Sequence, residues 1–341
     1  MIRVLVADDS AFARKVMREV LQRHDDIEVV DIARDGLEAL EKITELKPDV
    51  VTLDLVMPNL DGVGVLRALP ADGATRVVVV SMSDAESELG VEALRLGAVD
   101  LVHKPTALAT ERLFDLGDEL VRKVRIAAAA HAPAPPRDDR APAPSLVVKA
   151  SGRTELVVIG ASTGGPQALA RLLAALPGDF PVPIALVLHI PAEYTGPFAA
   201  RLDATCALEV LEANEGLALA PGRVVVARGG VHLKLAYGDG GGMSCRLDAA
   251  PIGAPHRPAV DVLFESAAAL TGARTLAVVL TGMGDDGLAG ARAVRAAGGV
   301  VLTEAESSCV VYGMPRSVDD AGLSSGSAPI MEMAPLIARL L

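Results

Sequence analysis

The sequence lacks any apolar run long enough to cross a bilayer: stretches such as Val77–Val80 and Ile184–Leu188 fall far short of the ~18 residues a membrane helix needs. Membrane insertion is not expected. The opening Met-Ile-Arg-Val-Leu-Val-Ala-Asp-Asp lacks the basic flank and small-residue cleavage site of a secretory signal, because acids follow the apolar run at once. A cytoplasmic location is the expectation. Cysteine is scarce: Cys206, Cys245 and Cys309 stand far apart, with neither a CxxC pair nor a histidine at zinc-ligand distance. They read as reduced and mostly structural. Positive charge is short as well, and a formal net charge of −12 argues against a nucleic-acid phosphate backbone as partner.

What is present is apolar residues, 51% of 341, enough for two cores when a typical domain has about 100–200 residues. Residues 127–146 interleave alanine with proline, which forbids helix continuation and offers no apolar period, so a linker is placed at 126–149. It separates a domain at 1–125 from one at 150–341. In the first, apolar runs at Ile2–Ala7, Val29–Ala33, Val50–Leu53, Val77–Ser81 and Asp100–Val102 alternate with helical patterns such as Phe12, Val16 and Val20 behind the cap Ser10. Five strand-helix units imply a flavodoxin-like, parallel, doubly wound α/β sheet. In the second, strands are expected at Leu156–Ile159, Ile184–Leu188, Arg223–Val226, Leu276–Leu280 and Val300–Thr303, with one helix presenting Leu169, Leu172, Leu173 and Leu176. This domain too reads as doubly wound α/β, with its topology open around the glycine-rich stretch 238–242.

Ligands of a doubly wound sheet gather at the carboxyl ends of its strands, which here carry Asp8, Asp9, Asp54, Ser81 and Lys104. Clustered carboxylates call for a hard cation, and Mg²⁺ would let one of them attack a phosphoryl donor while a lysine and a hydroxyl hold the transferred oxygens. Singly, each residue is as well explained by a helix start or a solvated loop charge. In series, Asp-Asp, Asp-Leu-Val-Met-Pro with Asp61-Gly62, Ser and Lys-Pro resemble the response-regulator receiver family. The resemblance makes Asp54 the phosphoacceptor, Asp8, Asp9 and Asp54 the Mg²⁺ ligands, and Ser81 and Lys104 the phosphate-sensing pair. Leu101 stands where receivers often have a switch aromatic.

In the second domain, Gly160-Ala-Ser-Thr-Gly-Gly165 puts Ser162 on a strand-to-helix turn, a short motif that also resembles part of a dinucleotide-binding loop. A serine nucleophile needs a base, and of six histidines only His189 ends an apolar strand. A third group must orient that imidazole, and Thr281-Gly-Met-Gly-Asp-Asp-Gly287 supplies two candidates, Asp285 and Asp286, which spacing does not separate. The order Ser, His, Asp differs from that of α/β-hydrolases.

Together with Leu188-His-Ile-Pro191 and His256-Arg-Pro258, these segments resemble the bacterial chemotaxis protein-glutamate methylesterases, the CheB family, along the whole chain. The resemblance implies a serine triad of Ser162, His189 and Asp286, the last because the family's aspartate precedes the final glycine of its turn. It implies an oxyanion role for the Met283 amide and no cofactor for ester hydrolysis. It further implies methylated chemoreceptors as substrate, some glutamine deamidation, a histidine kinase as phosphodonor, a monomer, and an unphosphorylated receiver that covers the Ser162 rim. Two other classes fit parts of the sequence. A non-catalytic docking module is disfavoured by the intact Ser162, His189 and Asp286. A nucleotide-dependent oxidoreductase is disfavoured by Pro166 directly after the glycines and by the lack of a strand-end acid ~20 residues on.

Overall fold

The structure, a computed structural model, describes residues 1–70, 74–81, 87–104, 110–130, 154–238 and 240–341. The chain divides into two compact units, Met1–Ala132 and Pro133–Leu341. The proline-rich part of the expected linker lies, from residue 131, outside the described residues.

The first unit runs β1 (Ile2–Ala7), α1 (Ala11–Leu21), β2 (Ile27–Ala33), α2 (Gly36–Leu46), β3 (Val50–Leu53), α3 (Gly62–Ala68), β4 (Arg76–Ser81), α4 (Ser87–Arg95), β5 (Asp100–His103) and α5 (Thr110–Ala129). Its strands form one parallel sheet in the order β2-β1-β3-β4-β5, the flavodoxin-like arrangement. Continuous apolar runs such as Val77–Val80 suit strands covered on both faces, and all four of those valines are buried. Short polar side chains start the helices by accepting otherwise orphaned amides: Ser10 from Ala13 at 3.3 Å, Asp35 from Glu38 at 2.9 Å and Asp61 from Gly64 at 2.6 Å. The face α1 buries is not the expected one. Met17 and Leu21 are buried, Val16 and Val20 are half-buried, and Phe12 is 47% exposed. The stripe that faces the core is rotated from the aromatic one, and Val20 packs instead toward Gly117 of α5.

The second unit runs β6 (Leu156–Ala161), α6 (Gly165–Ala174), β7 (Ile184–Leu188), α7 (Ala192–Asp203), β8 (Glu209–Glu212), β9 (Arg223–Val226), β10 (His232–Tyr237), β11 (Met243–Asp248), α8 (Val260–Thr271), β12 (Thr275–Val279), α9 (Leu288–Ala296), β13 (Val300–Glu304), α10 (Met314–Asp320), β14 (Gly326–Ala328) and α11 (Ile330–Ala338). Seven parallel strands lie in the order β14-β13-β12-β6-β7-β9-β8, and β10 pairs with β11 as an antiparallel hairpin. The glycine-rich stretch is that hairpin's turn, closed by the Gly238 N–H on the Gly242 carbonyl at 2.8 Å. Helix α6 buries Leu169, Leu172 and Leu173, as its spacing predicts, and Leu176 is buried just beyond the helix end. Helix α8 is apolar around most of its girth because it sinks Val260, Leu263, Phe264 and Ala267 into the core. Connections leave β6 toward β7 on one side, while β12 returns on the other, so a switch point opens at the carboxyl end of β6. Among the described residues no helix is long and apolar enough to cross a membrane, and all three cysteines are free thiols.

Candidate functional site

Ser162 follows β6, His189 follows β7 and Asp286 follows β12, three neighbouring strands of the seven-stranded sheet. The His189 N–H donates to the Ala161 carbonyl at 3.1 Å, so the histidine leaves its strand beside the residue that precedes Ser162. The Ser162 N–H donates to Thr281 O at 3.0 Å, which ties the serine to the segment carrying Met283 and Asp286. Two glycines make this approach possible. A Cβ on Gly282 would stand 2.8 Å from Ser162 Cβ and 2.3 Å from Met314 Sδ, and Gly164, the N-cap just ahead of α6, has φ +78°. Gly282→Ala is therefore expected to destabilise the unit by about 1–3 kcal/mol, read as a lower Tm. An unchanged Tm would show that Met314 and Ser162 yield freely.

His189 Nε2 lies 2.8 Å from Asp286 Oδ2. An ionised carboxylate only accepts, so Nε2 is the donor and Nδ1 is left as the acceptor nitrogen. Nδ1 is buried and has no hydrogen-bond partner among the described residues. Asp286 is 8% exposed, yet it stays ionised: burial acts to raise its pKa, but His189 and the Asp261 and Val260 amides outweigh that and hold it below the usual carboxylate value. Those amides, at 2.9 and 2.8 Å, are the free N–H groups that open α8. Asp285, by contrast, is exposed and contributes its backbone carbonyl to Leu288 N–H. Met283 sits at the rim of the same turn, 39% exposed.

Other residues of this neighbourhood surround the serine, histidine and aspartate. His256 stacks on His189 with ring centroids 4.2 Å apart and an interplanar angle of 22°. Glu304 is fully buried beneath the site, where its carboxylate accepts the Thr281 N–H at 2.9 Å and the Ser308 hydroxyl at 2.8 Å. Burial pushes its pKa up. The Thr281 hydroxyl donates to Thr163 O at 3.0 Å, so Glu304 and Thr281 brace the serine turn from below. His256 was visible as part of a motif; a lone glutamate at the end of an apolar strand carries no signal of its own.

In the first unit, Asp8, Asp9 and Asp54 each present a carboxylate oxygen within 4.8 Å of the others. Lys104 reaches across with Nζ 2.5 Å from Asp8 and 2.8 Å from Asp54. Burial pushes Asp54 up to about 6; Lys104 opposes the rise and the Asp8 charge adds to it. Ser81 is fully buried at the end of β4, next to the β5 end that carries Lys104. Leu101 is a core residue, 1% exposed. Three carboxylates crowded at the ends of the neighbouring strands β1 and β3, one exposed and two buried, form an oxygen-only donor set that fits a hard divalent cation.

Comparison with known proteins assigns each part of the chain to a family. A family model described as CheB methylesterase matches residues 157–337, and one described as response regulator receiver domain matches residues 4–114. Protein-glutamate methylesterase/protein-glutamine glutaminase 5 of Myxococcus xanthus (strain DK1622) is 63% identical over 340 residues, which cover 99% of this chain and 97% of that one. The protein-glutamate methylesterase/protein-glutamine glutaminase of Geobacillus kaustophilus (strain HTA426) is 42% identical, with 100% and 99% covered. The crystal structure of the Thermotoga maritima CheB methylesterase catalytic domain aligns over 56% of this chain and all of that one, with 40% identity and a TM-score of 0.54. With a receiver sheet ahead of it and a serine, a histidine and an aspartate at the switch point of the second sheet, the chain belongs to the CheB methylesterase family.

Proposed function

We propose that this chain hydrolyses glutamyl methyl esters on chemoreceptors, and deamidates some of their glutamines, under the control of phosphorylation at Asp54. The observation that carries the hydrolytic part is His189, held through Nε2 by a buried carboxylate while Nδ1 is buried and, among the described residues, unpartnered. In this reading Nδ1 takes the Ser162 proton as Oγ attacks the ester carbonyl carbon. Asp286 stabilises the imidazolium that forms, and the Met283 amide is assigned to the oxyanion. As the tetrahedral intermediate collapses, the ester C–O bond breaks and the imidazolium proton goes to the leaving methoxide, giving methanol. A water then gives its proton to Nδ1 and attacks the acyl-serine, which releases glutamate and restores Ser162. With a glutamine side chain the same sequence releases ammonia.

The receiver part assigns Asp54 as nucleophile toward the phosphoryl group of a phosphohistidine on a kinase partner, and Ser81 and Lys104 as holders of the transferred oxygens. Asp8, Asp9 and Asp54 would hold Mg²⁺, which would supply the positive charge that lets a carboxylate meet a phosphate. Lys104, already in contact with Asp8 and Asp54, is placed to follow the added charge. We place the receiver at 1–125, the linker at 126–149 and the esterase at 150–341, acting as a monomer in the cytoplasm.

Acetyl phosphate with Mg²⁺ is expected to label the chain and raise methanol release several-fold, and Asp54→Asn to abolish both effects while leaving basal hydrolysis. Labelling of the variant at the normal rate would move the phosphoacceptor elsewhere.

A further inference from the structure

Helices α8 and α9 start without a capping side chain of their own, since their N-cap positions are Ala259 and Gly287. The free N–H groups of a helix start need acceptors, and here each helix caps the other. Asp286, just ahead of α9, accepts the Val260 and Asp261 amides of α8 at 2.8 and 2.9 Å. Asp261, the second residue of α8, accepts the Gly287 and Gly290 amides of α9 at 2.8 and 2.7 Å. Asp286 is thus gripped twice by one residue: its carboxylate by the Asp261 N–H, and the peptide that follows it by the Asp261 side chain.

We propose that Asp261 is a positioning residue for ester hydrolysis, fixing through the Gly287 and Gly290 amides the place at which Asp286 orients His189. The inference rests on the triad reading given above. Both amides converge on a single oxygen, Oδ1, so one correctly placed acceptor is what the side chain must supply. Burial and the neighbouring Asp286 push the Asp261 pKa up, against the pull of the Gly290 and Gly287 amides. Asparagine would present the same oxygen without that repulsion, alanine would present nothing, and glutamate would carry the oxygen one methylene too far. Displacing a catalytic group by about 1 Å can cost on the order of 10²-fold in rate without weakening substrate binding.

The test is steady-state methanol release by the full-length chain from methylated receptor, with wild type as control and thermal unfolding to verify the fold. Asp261→Ala is expected to lower kcat by roughly 10–100-fold with KM within about 2-fold, and Asp261→Asn to stay within about 3-fold of wild type. In an Asp286→Asn background, Asp261→Ala should lower kcat by less than about 2-fold more, since its effect passes through Asp286. A folded Asp261→Ala with wild-type kcat, an Asn variant as impaired as Ala, or losses that multiply in full with Asp286→Asn would each overturn the proposal. If Asp261→Ala does not fold, Asp261→Glu decides: reduced kcat at unchanged KM supports positioning, and wild-type kcat overturns it. No methanol from wild type would instead sink the triad reading.

Discussion

Ser162→Ala is expected to lower kcat for ester hydrolysis by about 10⁵-fold, close to 7 kcal/mol of transition-state stabilisation, because a methyl group cannot attack a carbonyl. The fold should survive. Ser162 is tied in by its backbone, with its N–H on Thr281 O at 3.0 Å and its carbonyl accepting the Gly165 N–H at 2.7 Å, and both bonds are available to alanine. Phosphorylation at Asp54 should also persist, since that pocket belongs to the other compact unit. Rates of methanol release at saturating substrate, alongside acetyl phosphate labelling, check both halves. Release by the folded variant within an order of magnitude of wild type would remove Ser162 as the nucleophile.

Asp286→Asn is expected to lower kcat by about 10³–10⁴-fold, whereas Asp285→Asn should stay within about 2-fold. All three groups facing the Asp286 carboxylate are donors: His189 Nε2 and the Val260 N–H on Oδ2, and the Asp261 N–H on Oδ1. An amide offers one oxygen and turns its NH₂ toward at least one of those donors, while the charge that stabilises the imidazolium is lost outright. Asp285 faces solvent, and what it gives the structure is a backbone carbonyl that asparagine keeps. Equal losses, or the reverse ranking, would contradict the assignment of the triad acid.

The contrast between these aspartates shows what could be read from the residues alone. Strand β7 and the buried leucines of α6 were legible because each apolar pattern is its own signal, and His189 stood out because it directly follows such a strand, although His103 ends β5 in the same way. Strands β8, β10, β11 and β14 were not foreseen. Glu209–Glu212 is bounded by charges, Gly326–Ala328 offers only small residues, and the β10–β11 hairpin mixes lysine, arginine and histidine into its alternation. The glycines around Asp285 and Asp286 announced a turn, but which carboxylate faces inward depends on the start of α8, about 25 residues earlier in the chain. Asp261 and Glu304 were invisible for the same reason: each acts on a segment more than twenty residues away, through a contact that only folding creates. In the receiver the reverse holds, since the strand ends that carry Asp8, Asp54 and Lys104 are fixed by runs of valine and leucine.

The most direct test of a phosphorylation-controlled methylesterase is the release of labelled methanol from receptor membranes whose glutamates carry radioactive methyl esters, using the full-length chain with and without acetyl phosphate and Mg²⁺. The account predicts slow release by the unphosphorylated chain and release several-fold faster after phosphorylation, with neither seen for Ser162→Ala. A folded, phosphorylated chain that releases no methanol from such membranes would contradict it.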